Sequence, residues 1–219
     1  MKSYYSLIKA LATPALAFGI AGSAGAMTYM IDIDSTVPAG PIATESGWTS
    51  FDTTLGNGSP PLVLDGIEFS IASADGSRLR GGATPNPNAL TSDFVFDDGA
   101  GQAIVFFFGQ AGQLPAGTWQ VEAWIFESSG GLGPSIVGYR TNNVETQITD
   151  NALENPTDPA ATFTFESDGI ARYDLFVREN NTENRSRLNA VRLTLIPEPG
   201  STVLALGGIG LLMLRRRRP

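Results

Sequence analysis

Between Met27 and Ile196, no stretch of twelve or more residues carries an apolar stripe at the 3.6-residue period of a helix. Short runs of β-branched, aromatic and aliphatic residues stand there instead, divided by Gly, Pro, Asn and Asp. That pattern predicts strands over Tyr29 to Ile33, Leu62 to Ala72, Ser92 to Phe96, Ala103 to Phe108, Thr118 to Phe126, Ile136 to Tyr139, Val144 to Ile148, Ala161 to Glu166, Ile170 to Arg178 and Arg187 to Leu195. The expected class is all-β, an antiparallel two-sheet β-sandwich, because two stacked sheets bury one alternating face from each strand.

Two pairings follow from turn chemistry. Phe163 and Phe165 alternate with threonines, Ser167-Asp168-Gly169 turns the chain, and Ala171, Tyr173, Leu175 and Val177 then alternate with polar residues. Asp-Gly tolerates the positive φ angles of a tight primed turn, which predicts a hairpin here. Ala103 to Phe108 is apolar on both faces, as a covered central strand must be. Leu114-Pro115-Ala116-Gly117 would join it to Thr118 to Phe126 as a second hairpin.

The residue inventory narrows the chemistry. The 219 residues include no Cys and no His. Ser-His-Asp and Cys-His catalysis, zinc and iron-sulfur sites and disulfide scaffolds are therefore excluded. The net charge is -8, but residues 27 to 196 hold eight Arg, no Lys and twenty-one Asp and Glu, a net of -13. Such a surface repels phosphate backbones and anionic headgroups, so no nucleic-acid partner is expected, and the membrane is met only through the C-terminal segment.

Both termini read as addresses. Residues 1 to 26 have a basic start (Lys2, Lys9), the eleven-residue apolar run Ala10 to Ile20, and the small residues Ala24-Gly25-Ala26. This is the layout of a secretory signal peptide, and signal peptidase is expected to cut after Ala26, recognising Ala24 and Ala26. At the other end, residues 197 to 219 begin with Pro197-Glu198-Pro199 and a short polar step. Twelve apolar or glycine residues, Val203 to Leu214, and the cluster Arg215, Arg216, Arg217 and Arg218 follow. Twelve helical residues rise about 18 Å against a hydrocarbon core of about 30 Å, a marginal span suited to a temporary handle. The arginines should hold the C-terminus on the cytoplasmic side and leave everything before Pro197 outside. A permanent anchor is the plainer alternative.

This tail resembles the PEP-CTERM sorting signal of Gram-negative bacteria, whose three parts occur here in the same order. The resemblance implies processing by an exosortase near Pro197, Glu198 and Pro199, and delivery to the cell surface or an exopolysaccharide-rich extracellular matrix, the setting of biofilms. Residues 27 to 196 are the cargo. Within it, Leu114-Pro-Ala-Gly-Thr-Trp-Gln-Val121 and the late Arg187-Leu-Asn-Ala-Val-Arg-Leu193 are similar to strands of galactose-binding-like jelly rolls, including carbohydrate-binding modules. That similarity favours a jelly roll over an immunoglobulin-like sandwich.

Candidate site residues follow from the chemistry left in the inventory. An exposed tryptophan can stack on a pyranose while carboxylates bond its hydroxyls. Trp119 shares parity with Val121, Ala123 and Ile125 and is expected in the core. Trp124 shares parity with Gln120 and Glu122 and is expected on the outer face, open to a ligand or covered by a loop. Trp48 lies in a loop-like stretch. Trp48, Trp124 and Glu122 are thus the ligand-binding candidates, with a polysaccharide as partner. No cofactor is required, but Asp32-x-Asp34 and Asp97-Asp98-Gly99 offer oxygen ligands that a structural calcium ion can use, the second pair also being a turn signature. Arg185 and Arg187, close to Arg192 and Arg178, either meet an acidic polysaccharide or balance neighbouring carboxylates. The expectation is an exported, non-enzymatic domain that binds glycan. The alternatives are a purely structural matrix protein and a hydrolase working through paired carboxylates.

Overall fold

The computed structural model describes residues 26–35, 44–55, 58–72, 75–79, 89–99, 102–127, 133–180 and 185–197. Along the chain the strands are β1 (Thr28–Asp34), β2 (Thr49–Asp52), β3 (Leu62–Leu64), β4 (Ile67–Ala72), β5 (Gly76–Leu79), β6 (Asp93–Asp97) and β7 (Ala103–Phe108). They continue with β8 (Gly117–Trp124), β9 (Ser135–Thr141), β10 (Val144–Ala152), β11 (Ala161–Ser167), β12 (Tyr173–Glu179), β13 (Ser186–Leu188) and β14 (Ala190–Ile196). A 3-10 turn lies at Ala89–Thr91. The first sheet has the order β11-β8-β14-β1-β2, the second β10-β9-β12-β7-β4-β3, and a third, small sheet β13-β6-β5.

Four nested antiparallel pairs organise these strands. β9 and β10 form the innermost hairpin, β8 pairs with β11 around it, β7 with β12 around those, and β1 with β14 outermost. Successive layers alternate between the two large sheets, as when one long hairpin is rolled into a sandwich. This winding is the jelly roll. β2, which pairs with β1 in parallel, extends the first sheet, and β3 and β4 extend the second.

The core lies between the large sheets. Ile31, Ile33, Trp119, Val121, Val191 and Leu193 come from one side, and Phe69, Ile104, Phe106, Phe108, Leu175 and Val177 from the other. Each such side chain, once fully buried, stabilises the fold by about 1.5 to 3 kcal/mol. Trp119 is fully buried, as its parity predicts, and its indole N–H donates to the carbonyl of Pro115 at 2.9 Å.

The two expected hairpins are instead crossings between sheets. β11 lies in the first sheet and β12 in the second. The rings of Phe165 and Tyr173 stack at 5.0 Å across the core. Asp168 shapes the crossing by accepting from the main-chain N–H of Ile170 and Ala171, both at 2.8 Å. β7 and β8 are split between the sheets in the same way. Alternation shows which face of a strand is buried, not whether two buried faces lie side by side or meet across a core. The two-residue primed turns fall elsewhere, at Asn142-Asn143 (φ 50° and 69°) between β9 and β10 and at Asp65-Gly66 (φ 51° and 83°) between β3 and β4.

Asp65-Gly66 thus cuts the expected strand Leu62 to Ala72 in two. The expected Arg187 to Leu195 is likewise interrupted at Asn189, where the chain passes from the third sheet to the first. β2 and β5, four residues each, escaped the pattern because so short a segment has almost no period.

Candidate functional site

The outer face of the first sheet gathers most of the sequence candidates. Trp119, Val121 and Ala123 of β8 face the core, so Glu122 and Trp124 face outward. In β1, Ile31 and Ile33 face inward, and Met30, Asp32 and Asp34 face outward. Cross-strand register aligns Trp124 with Ala190, Asp32 and Ser50 in one row, and Glu122 with Arg192 and Met30 in the next.

The segment 44–48 is anchored to this face. The Thr44 hydroxyl donates to Asp34 Oδ2 at 2.7 Å, and the Glu45 N–H donates to Asp32 Oδ2 at 2.7 Å. Gly47 takes a φ of 86°, and the Trp48 ring meets Trp124 edge-on at 5.0 Å and 89°. With Leu90 of the 3-10 turn and Ala190 they form a second small core, in which Trp124 is only 5% exposed. The loop-covered alternative for Trp124 is therefore the one observed, and Trp124 offers no open stacking platform. Glu122 is also buried, its carboxylate gripped by both Arg192 Nε and Nη2, with that guanidinium over the Trp124 ring at 5.6 Å. Arg192, expected near the Arg185 and Arg187 cluster, lies directly opposite Glu122 and balances that carboxylate.

Around Gly47 and Thr49, which flank Trp48 in the chain, β1 and the β3–β4 hairpin border a cleft of about 360 Å³. Its lining includes Thr28 and Met30 of β1, Gly47, Thr49, and Val63 and Asp65 from the β3–β4 hairpin. Hydroxyls, one carboxylate and apolar surface thus meet in one hollow, a mixed lining suited to a polyhydroxylated ligand. This site was invisible in sequence because its walls come from three separate segments.

The four candidate calcium carboxylates divide into two unlike pairs. Asp32 and Asp34 are fully buried, and Oδ1 of each makes no hydrogen bond. Burial, with Asp34, Asp93 and Glu45 nearby, pushes Asp32 up to about 8 despite the bond from Glu45. Burial also raises Asp34, against the hydroxyls of Ser50 and Thr44. Asp97 and Asp98 stand at the far end of β6 and are already engaged. Asp97 accepts from the Gly99 N–H at 2.8 Å, in the Asp-Gly turn geometry, and Asp98 pairs with Arg187 at 2.9 Å.

Arg187 is itself buried, paired with Glu127 at 2.7 Å and lying over the rings of Phe94 and Phe96, 5.3 Å from each. It balances carboxylates inside the fold; Arg185 is exposed. Of the processing residues, Ala26 and Pro197 are described and exposed. Ala24, Glu198, Pro199, Arg215, Arg216, Arg217 and Arg218 lie outside the described residues. Among the described residues, no helix is long and apolar enough to cross a membrane.

On the outer face of the second sheet, Asp174 is fully buried and only ion-paired, with Arg172 Nε at 3.3 Å. Burial raises it to about 6 against the attraction of Arg172 and Arg140. A carboxyl whose folded pKa lies above its unfolded value favours the fold when protonated. This contribution is complete below about pH 4 and is lost as the pH rises through 6. The stability of the wild type relative to Asp174→Asn should therefore fall by about 3 kcal/mol between pH 4 and 7. Parallel pH curves from urea unfolding of the two proteins would show that the burial penalty is not felt.

No protein-family model matches the chain, and no curated protein does. Among solved structures, the chain is similar to the enzymatically active domain of tailspike protein 4 of bacteriophage CBA120, at 12% identity and a TM-score of 0.27. The match covers 58% of this chain and 18% of that one, so the chain spans less than a fifth of that structure's length.

Proposed function

We propose that this chain is an exported, non-enzymatic jelly-roll protein, sorted through its PEP-CTERM tail to the cell surface or extracellular matrix, where it binds polysaccharide in the cleft around Gly47 and Thr49. One observation carries the reading. The first and last strands are neighbours in one ladder, with Thr28 opposite Thr194 and the Leu195 N–H donating to the carbonyl of Met27 at 2.8 Å. The two ends of the described cargo, Met27 and Ile196, therefore lie side by side at one end of the first sheet. Signal peptidase and exosortase can each remove one address segment without cutting a strand, since β1 begins at Thr28 and β14 ends at Ile196. The ligand part rests on the cleft, whose residues Thr28 and Met30 belong to that same end of β1.

The test has two readouts. The intact mass of exported material should begin at Met27 and end near Pro197 in cells with an exosortase, and retain the tail in cells without one. The exported protein should bind one member of a polysaccharide panel saturably. Asp65→Asn keeps a residue that tolerates the positive φ of the turn while removing the cleft's carboxylate, and should weaken that binding about tenfold. An unprocessed tail would refute the sorting assignment, and absence of binding across the panel would refute the glycan assignment. A purely structural matrix role is the second reading. It is favoured by β10, a nine-residue strand on the edge of the second sheet with Val144 70% and Ile148 42% exposed.

A further inference from the structure

We propose that Asp32 and Asp34 hold a divalent metal ion, calcium, between the outer face of β1 and the segment 44–48. The two residues are i and i+2 on one strand, so both carboxylates leave the same face of the sheet. Both side chains are fully buried, each with Oδ1 free of any hydrogen bond and Oδ2 already held by segment 44–48. The fold thus aims two carboxylates and leaves one oxygen on each without a proton donor. Among the described residues, their other charged neighbours are Asp93, Glu45 and Asp52, all acidic. Among the described residues, neither aspartate is ion-paired with an arginine, in contrast to Asp98, Glu122, Glu127 and Asp174. A buried carboxylate pair of this kind must be neutralised, by a cation or by a proton, because the cost of removing two like charges from water is otherwise uncompensated.

The donor set selects the metal. Carboxylate and hydroxyl oxygens surround the position, and the chain has no His or Cys with which to attract zinc or copper. Calcium accepts six to eight oxygens in irregular arrangements, whereas magnesium keeps several waters in a strict octahedron, for which a fully buried site has little room. Among the described residues, no third acidic side chain converges into a cage. The remaining positions therefore fall to hydroxyl and main-chain carbonyl oxygens and to water, the mixed set that calcium takes. The site is independent of the glycan reading. Its effect would be to lock segment 44–48, and with it Gly47 and Trp48, against the sheet.

The alternative means of neutralisation is a proton, and the experiment separates the two. The full chain, purified in mild detergent and stripped with chelator, is titrated with calcium or magnesium chloride at pH 7 while tryptophan fluorescence follows thermal unfolding. Calcium should raise the midpoint by about 5 to 10 °C at saturation, and magnesium by much less. Asp32→Asn and Asp34→Asn should each abolish the calcium response, and both should remain folded, because an amide retains an acceptor for the Glu45 N–H or the Thr44 hydroxyl. Asp97→Asn should leave the response intact. A midpoint indifferent to calcium, together with a more stable Asp32→Asn protein, would overturn the proposal and show that the aspartate is simply protonated. An equal response in Asp32→Asn and wild type would place the ion elsewhere and overturn it as well.

Discussion

Arg187→Ala should cost about 3 to 5 kcal/mol, a third or more of the stability of an ordinary domain. The substitution leaves the Glu127 carboxylate, only 2% exposed, without its 2.7 Å partner, and it removes the guanidinium from between Phe94 and Phe96. The half-exposed Asp98 loses a partner too, but water can replace it there at little cost. Removing both charges is a different matter. Arg187→Met combined with Glu127→Leu should recover most of the loss, since an apolar pair of similar volume carries no desolvation penalty. Urea unfolding followed by tryptophan fluorescence measures all three variants. A single variant within 1 kcal/mol of wild type would mean that Glu127 finds another partner or takes up a proton at small cost.

Asn189→Ala should be nearly as damaging, at about 3 kcal/mol, for a reason that no pair of residues contains. Asn189 is fully buried where the chain leaves the third sheet for the first. Its Oδ1 accepts from the Phe126 N–H at 2.7 Å, and its Nδ2 donates to the carbonyls of Asp93 at 2.8 Å and Thr91 at 3.4 Å. Its own main chain bonds the carbonyl of Trp124 and the N–H of Ile33, both at 2.9 Å. Alanine keeps the last two bonds and orphans the others in a dry interior. Asn189→Asp should be at least as costly at neutral pH, because a carboxylate oxygen would face two carbonyls, and it should recover in acid, where a protonated carboxyl can donate again. Equal stability of the alanine variant and wild type would show that these groups reach water.

These two residues also indicate how the cargo's outer face is held. Asn189 ties β8 and β14 to the segment carrying Leu90, which covers Trp124. Loosening that tie should expose Trp124, so the Asn189 variants should show a red-shifted tryptophan emission in any fraction that remains folded.

Much of this molecule was legible in its residue order. The all-β class followed from the missing helical period, and the ten expected segments fell on twelve of the fourteen strands, two of them each merging a pair, because alternation of size and polarity is a local property. Parity correctly placed Trp119 in the core and Trp124 outside it, since a strand's two faces are set by the period of two alone. Absence of His and Cys excluded whole classes of chemistry without any coordinates.

Partnership between strands was not legible. The Asp-Gly at 168 and 169 lies in a crossing and the Asp-Gly at 65 and 66 in a hairpin, although both dipeptides have the same local preference. What separates them is that Phe165 must meet Tyr173 across a core, a demand set by the rolled winding of the whole chain. For the same reason, only the tertiary structure could separate the two aspartate pairs. Asp97 and Asp98 are engaged by a turn and by Arg187, 89 residues away from Asp98, while Asp32 and Asp34 are buried beneath segment 44–48 and, among the described residues, make no ion pair with an arginine. Period, composition and address signals reside in neighbouring residues, and the sequence determines them by itself. Burial, ion pairing and clefts depend on which distant segments the winding brings together, and only the folded chain decides those.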